Sequence, residues 1–106
     1  MRSVRLLEAA TIEAEEAAKW YETQRPGLGG DFRAAFKAVL DALREDVVPG
    51  TPWPGALGKR GVQRIGTKRF PFYVVFVVTN ASPTVLALAH HRRRPGYWRH
   101  RIGRGG

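Results

Sequence analysis

The sequence predicts an α+β domain in which a short strand is followed by a pair of helices and then by a sheet. Three observations carry this expectation. Apolar side chains recur at helical spacing over residues 14–21 and 32–43. Three runs rich in β-branched and aromatic residues follow between residues 62 and 89. A stretch dense in proline and glycine separates the two regions. At 106 residues the chain is expected to form a single domain, 1–106, with a short flexible tail from about residue 102.

Val4 and Leu6 permit a first strand, with small residues around Ala9 after it. Thr11 is the expected cap of the first helix, and Glu13, Glu15 and Glu16 lie in its first turns, where negative charge complements the helix dipole. Ala14, Ala17, Ala18 and Tyr21 form its inward stripe, and the helix is expected to stop near Arg25, before Pro26. After the glycines at 27, 29 and 30, Asp31 is a cap candidate for a second helix that buries Phe32, Phe36, Val39, Leu40 and Leu43. The two helices should pack as an antiparallel hairpin, the alanines allowing close approach and the bulky residues supplying area. Each large side chain buried there is worth roughly 1.5 to 3 kcal/mol of transfer free energy. Val48 to Gly61, with Pro49, Pro52, Pro54 and four glycines, reads as a loop.

Strands are expected at Val62–Ile65, Phe70–Thr79 and Val85–Ala89, with the turn Asn80–Pro83 joining the last two. In the central strand Phe72, Val74, Phe76 and Val78 face one way and Tyr73, Val75 and Val77 the other. Both faces are therefore apolar. Helices are expected to cover one, and the C-terminal tail or a partner the other.

Composition narrows the function classes. The chain is 43% hydrophobic and 25% charged, and its longest apolar run, Phe70–Val78, contains Pro71 and is about half the length of a membrane span, so no membrane association is expected. There is no cysteine, and no basic start followed by an apolar run, so a cytoplasmic location is the expectation. Residues 1–46 hold seven Lys and Arg against nine Asp and Glu, a net of −2, whereas residues 47–106 hold eleven bases and no acid, a net of +11. A surface of one sign attracts nucleic acid or an acidic protein at long range.

Any chemistry must come from that basic half. His90, His91, Arg92, Arg93, Arg94, Tyr97, Trp98, Arg99, His100 and Arg101 combine guanidinium forks with aromatic rings, a mixture suited to phosphates, carboxylates and stacked bases. No metal is expected, because neighbouring histidines on a strand point to opposite faces with no carboxylate nearby, and no other cofactor is called for. His90 reads as a strand residue bonded within the fold. The acids of the helical half read as solvent-facing charges and caps. Ser3 and Ser82, at an end and a turn, offer no nucleophile arrangement. One enzymatic route needs neither metal nor carboxylate: an RNA 2′-hydroxyl attacks its own phosphate, with His90, His91 or Tyr97 moving protons and Arg93 or Lys68 stabilising charge. Against it stands a plain packing role for Tyr97 and Trp98, pinning the tail to the sheet. Trp20 and Trp53 read as core or loop packing.

A set of motifs running from about Val4 to Arg99 carries a family resemblance. They are Trp20-Tyr21-Glu22 on the alanine-rich helix, Arg25-Pro26-Gly27-Leu28-Gly29 with Phe32, and Arg69-Phe70-Pro71-Phe72 with Val74 and Phe76. Leu88-Ala89-His90, Arg92-Arg93, Pro95 and Tyr97-Trp98 complete the set. With them the chain resembles the ParE/RelE superfamily of toxins from type II toxin–antitoxin modules, and looks closest to the ParE-like branch, the plasmid stabilisation proteins. The resemblance implies an N-terminal strand and a helical hairpin packed on a twisted, mainly antiparallel sheet. It also implies a cognate antitoxin, usually encoded beside the toxin, that folds along it and neutralises it. ParE-like members poison DNA gyrase, whereas RelE-like members cut mRNA in the ribosomal A site, and gyrase is the favoured target here. The residues expected to bind a target are Arg64, Lys68, Arg92, Arg93, Arg94, Tyr97, Trp98 and Arg99. On the RelE-like alternative, Lys68, His90, Arg93 and Tyr97 would carry the cleavage. An antitoxin-binding homologue without toxicity is the third possibility.

Overall fold

A computed structural model describes residues 2–47 and 49–103. In chain order the elements are β1 (Arg5–Leu6), α1 (Glu8–Gln24), α2 (Leu28–Glu45), β2 (Thr51–Pro52), α3 (Ala56–Lys59), β3 (Gln63–Gly66), β4 (Phe72–Thr79) and β5 (Ser82–His90), then a 3₁₀ turn at Arg99–Arg101. The sheet order is β1-β5-β4-β3-β2. All neighbours are antiparallel except β1 and β5, which pair in parallel. The predicted α+β arrangement, a helical hairpin on one face of a mainly antiparallel sheet, is present.

The helix starts differ from expectation. Leu7 donates to Val85 O as the last rung beside β1, and its own carbonyl already accepts Ala10 and Thr11 N–H, so the chain passes from strand to helix without room for a polar cap. Thr11 is thus inside α1. The second helix begins at Leu28 behind Gly27 at φ +90°, three residues before Asp31. Its capping acceptor is Glu22, from the end of α1, whose carboxylate accepts Gly27 N–H at 3.0 and 3.2 Å and Gly29 N–H at 3.0 Å. Those bonds hold the Glu22 carboxyl below the usual carboxylate range. Asp31 lies in the first turn, beside Arg69 at 3.6 Å and Arg25 at 3.8 Å. The stretch read as a loop after the second helix carries two short elements, β2 and α3, while Val48 lies outside the described residues.

The sheet separates two cores. On the helix side Ala10, Ala14, Ala18, Phe32, Val39 and Leu43 meet Phe70, Val74, Phe76, Val85 and Leu88. Tyr21 stacks on Phe32 at 5.3 Å, and Phe32 meets Phe70 and Phe72 edge-on at 5.2 Å. On the opposite face Val75, Leu86, Ala87 and Ala89 are covered by Leu57 of α3, by Val62 and by Trp98. The second apolar face of β4 is therefore closed by the chain's own C-terminal segment and α3. A bulge lets Leu86 and Ala87 both contribute to this core, because β4 pairs Val75 with Ala87 but Phe76 with Val85. The predicted tail begins on Ile102, which is half-buried against the second core; residues 104–106 lie outside the described residues. No helix of the described residues is long and apolar enough to cross a membrane.

Candidate functional site

Where β5 ends, the chain turns over the second face and brings several arginines above an aromatic wall. Arg64, on β3, lays its guanidinium over the Tyr73 ring at 4.7 Å and the Trp53 ring at 5.0 Å. His91 leans on the other part of that wall, its ring centroid 4.1 Å from that of Tyr73. Trp53 in turn meets Trp98 edge-on at 5.0 Å. These groups, with His90, Arg93, Arg94 and Pro95, line a cleft of about 180 Å³. Alternation along the strand end sends the two histidines to opposite faces, His90 toward Phe72 at 5.0 Å and His91 toward Tyr73. The Nδ1 of His90 accepts the backbone N–H of Arg92 at 3.0 Å.

Four of the residues expected to bind a target meet at this cleft: Arg64, Arg93, Arg94 and Trp98. A shallower depression next to it is lined by Arg94, Tyr97, Arg99 and His100. Lys68 sits in the turn between β3 and β4, and Arg92 follows β5; both are exposed and line neither depression. Trp98 has no exposed surface. It belongs to the floor of the second core, closing the cleft from below. Trp20, read as packing, is instead exposed on α1.

Tyr97 is tied into the fold by a group that the sequence reading placed in solvent. Its hydroxyl donates to Glu13 Oε2 at 2.6 Å. The same carboxylate accepts Arg101 at 2.9 and 3.2 Å and the backbone N–H of Leu88 at 3.1 Å, with Arg93 at 3.8 Å. Arg101 also donates to Leu86 O at 3.0 Å. Glu13 and Arg101 thus satisfy the edge of β5 beyond the point where β1 ends, in place of a further strand. Their side chains are only 11% and 13% exposed, so Glu13 is no solvent-facing charge. Burial first, and then the Glu13 hydrogen bond and charge, push the Tyr97 hydroxyl well above the ordinary phenol range. Arg93 completes the knot by lying 3.7 Å over the Tyr97 ring.

The basic half is therefore partly compensated: Arg69, Arg93 and Arg101 each pair with an acid of the helical half. Lys59, Arg60, Arg64, Lys68, Arg92, Arg94 and Arg99 form no ion pair among the described residues. Arg101 stands in the basic cluster singled out in the sequence, though not among the residues expected to bind a target, whereas Glu13 was missed, and its overlooked signal was spacing. Glu13 stands three residues after Ala10 and four before Ala17, on the edge of the buried stripe. Among the described residues, no group of three or more His, Asp or Glu side chains is placed to hold a metal ion.

No family model matches the chain, and neither does any curated protein. Its fold does match that of a solved chain of the chromosomal ParDE TA system from P. aeruginosa, with a TM-score of 0.70 at 17% identity over 85% of this chain and 96% of that one. Strand, helical hairpin and antiparallel sheet in this order are the RelE/ParE-like fold, and that is the architecture of this chain.

Proposed function

We propose that the chain is the toxin of a bacterial type II toxin–antitoxin pair, neutralised by a cognate antitoxin and acting, when free, on DNA gyrase. The observation that carries this reading is the likeness of fold to a ParDE chain over 85% of this chain and 96% of that one. The motifs running from Trp20-Tyr21-Glu22 to Tyr97-Trp98 support the same reading independently. Seven cations without an acid partner among the described residues supply a surface that a negatively charged partner or target would neutralise.

Gyrase is favoured by the likeness to the ParE-like branch, and the state of Tyr97 speaks against that residue as the base of RNA cleavage. A phenol whose O–H donates to Glu13 at 2.6 Å, and whose pKa is raised, is a poor base at neutral pH. Arg64, Lys68, Arg92, Arg94 and Arg99 then act as a docking surface, with Arg93 and Tyr97 holding the segment that presents them. Ribosome-dependent cleavage of mRNA is the second reading, and it draws on the cleft itself, where His91, Arg64 and Arg93 stand together while the ring of His90, which borders the same cleft, turns to the other face. Induced expression of the chain should arrest growth, and coexpression of the small gene beside it should restore growth. Arrest that no neighbouring product relieves would contradict the antitoxin reading.

A further inference from the structure

An apolar surface on the helix side adjoins the basic cleft at His90, which borders both. Trp20 is 57% exposed on α1, its ring edge-on to Tyr21 at 5.0 Å. It borders a depression of about 360 Å³ whose other walls are Ala17, Tyr21, Pro71, Phe72 and His90, almost all of them presenting carbon. Of the wall residues that carry polar atoms, His90 is spoken for on one side, since its Nδ1 accepts Arg92 N–H, and Tyr21 packs its ring on Phe32 and Phe70. An indole left outside the core beside an apolar hollow contributes little to folding. It is the arrangement that anchors a partner, because tryptophan carries large contact area on few rotors.

Charge selects the occupant. The sheet-side wall runs directly into cationic segments: His91 N–H donates to Pro71 O at 2.8 Å, and the Arg69 guanidinium lies 5.5 Å from the Phe70 ring, which itself meets Tyr21 at 4.9 Å. Lys68 and Arg92 on those segments are exposed and form no ion pair among the described residues. Against them stand Asp31, which already pairs with Arg69, and Glu16 one helical turn before Trp20. A second copy fits poorly, since two chains of net charge +9 would have to meet.

We infer that the hollow beside Trp20 anchors a bulky apolar side chain of an acidic polypeptide segment, and that the segment belongs to the neutralising partner. This rests on the antitoxin reading above. The test uses the full chain and the product of the neighbouring small gene, with affinity measured by calorimetry at low and high salt. Trp20→Ser, at an exposed position, should fold as the parent does by circular dichroism and bind roughly thirtyfold or more weakly. Ala17→Leu, which fills the hollow, should weaken binding in the same direction. Ile12→Ser, on the same helix at an exposed residue outside the hollow, should bind as the parent does. Parent affinity should fall as salt rises. Tight binding by the parent with no loss in Trp20→Ser would overturn the inference and leave the antitoxin reading standing. Salt-insensitive binding would overturn the acidic character of the segment. A dimer of the chain alone that Trp20→Ser dissolves would assign the hollow to a second copy, and failure of the parent to bind at all would overturn both readings.

Discussion

At the residue scale, the carboxylate of Glu13 joins three parts of the chain that are distant in sequence: α1, the edge of β5 and the C-terminal segment. Its charge is out of water and is compensated by Arg101, so removing either partner leaves the other buried and unpaired. Glu13→Gln and Arg101→Ala should each cost about 3 to 5 kcal/mol in chemical denaturation, and the double variant should lose less than the sum. Tyr97→Phe removes the hydrogen bond to the Glu13 carboxylate and should cost about 1.5 to 3 kcal/mol while leaving growth arrest intact. A Tyr97→Phe chain that folds but no longer arrests growth would favour the RNA-cleaving alternative. Because the folded state raises the Tyr97 pKa, the stability it adds is complete below the ordinary phenol range and is lost as pH rises through the folded value. Stability of the parent should therefore decline on the alkaline side in a way that Tyr97→Phe lacks.

At the scale of elements, two tight backbone arrangements set the hairpins. Gly29 sits where the start of the second helix lies close against the first, and a Cβ there would stand 2.6 Å from Ala18 O and 3.0 Å from Glu22 Oε1. Gly29→Ala should push α2 off α1, break the Glu22 cap and cost roughly 1 to 3 kcal/mol. In the two-residue turn between β4 and β5, Asn80 and Ala81 take φ +51° and +65°, the left-handed pair that a tight hairpin with this twist demands. Ala81→Gly should relieve the Cβ strain and stabilise the chain by roughly 1 kcal/mol. Thermal unfolding of both variants checks the two signs together. Apolar periodicity made the two helices and the two-sided central strand legible in the sequence, because burial acts on every third, fourth or second residue. The helix starts were not legible: α1 takes over its first carbonyl from Leu7, the residue directly after β1, and α2 is capped by a side chain of the preceding helix. Glu13 was misread for a related reason, since its partners lie 75 to 88 residues away. Trp98 shows the limit from the other side, as a tail aromatic can equally face a target or close a core, and only the position of β5 and α3 decides it.

At the scale of the whole molecule, the sheet divides the chain into a helical face, which carries the acids, and a face closed by the basic C-terminal segment. The acids reach the basic half at Asp31 and Glu13, leaving the cations of the cleft and its rim open to a partner. Replacing Arg92, Arg93 and Arg94 by Ala should abolish growth arrest or weaken the antitoxin complex, and should flatten the dependence of affinity on salt. Unchanged arrest and affinity in that variant would reduce the cluster to a solvated surface.

The central claim is tested most directly by titrating the purified chain into gyrase supercoiling and DNA-cleavage reactions, with the neighbouring gene product as the control. The account predicts inhibition with trapped, cleaved DNA, relieved when that product is added. A correctly folded sample that leaves supercoiling and cleavage unchanged at large excess would contradict it.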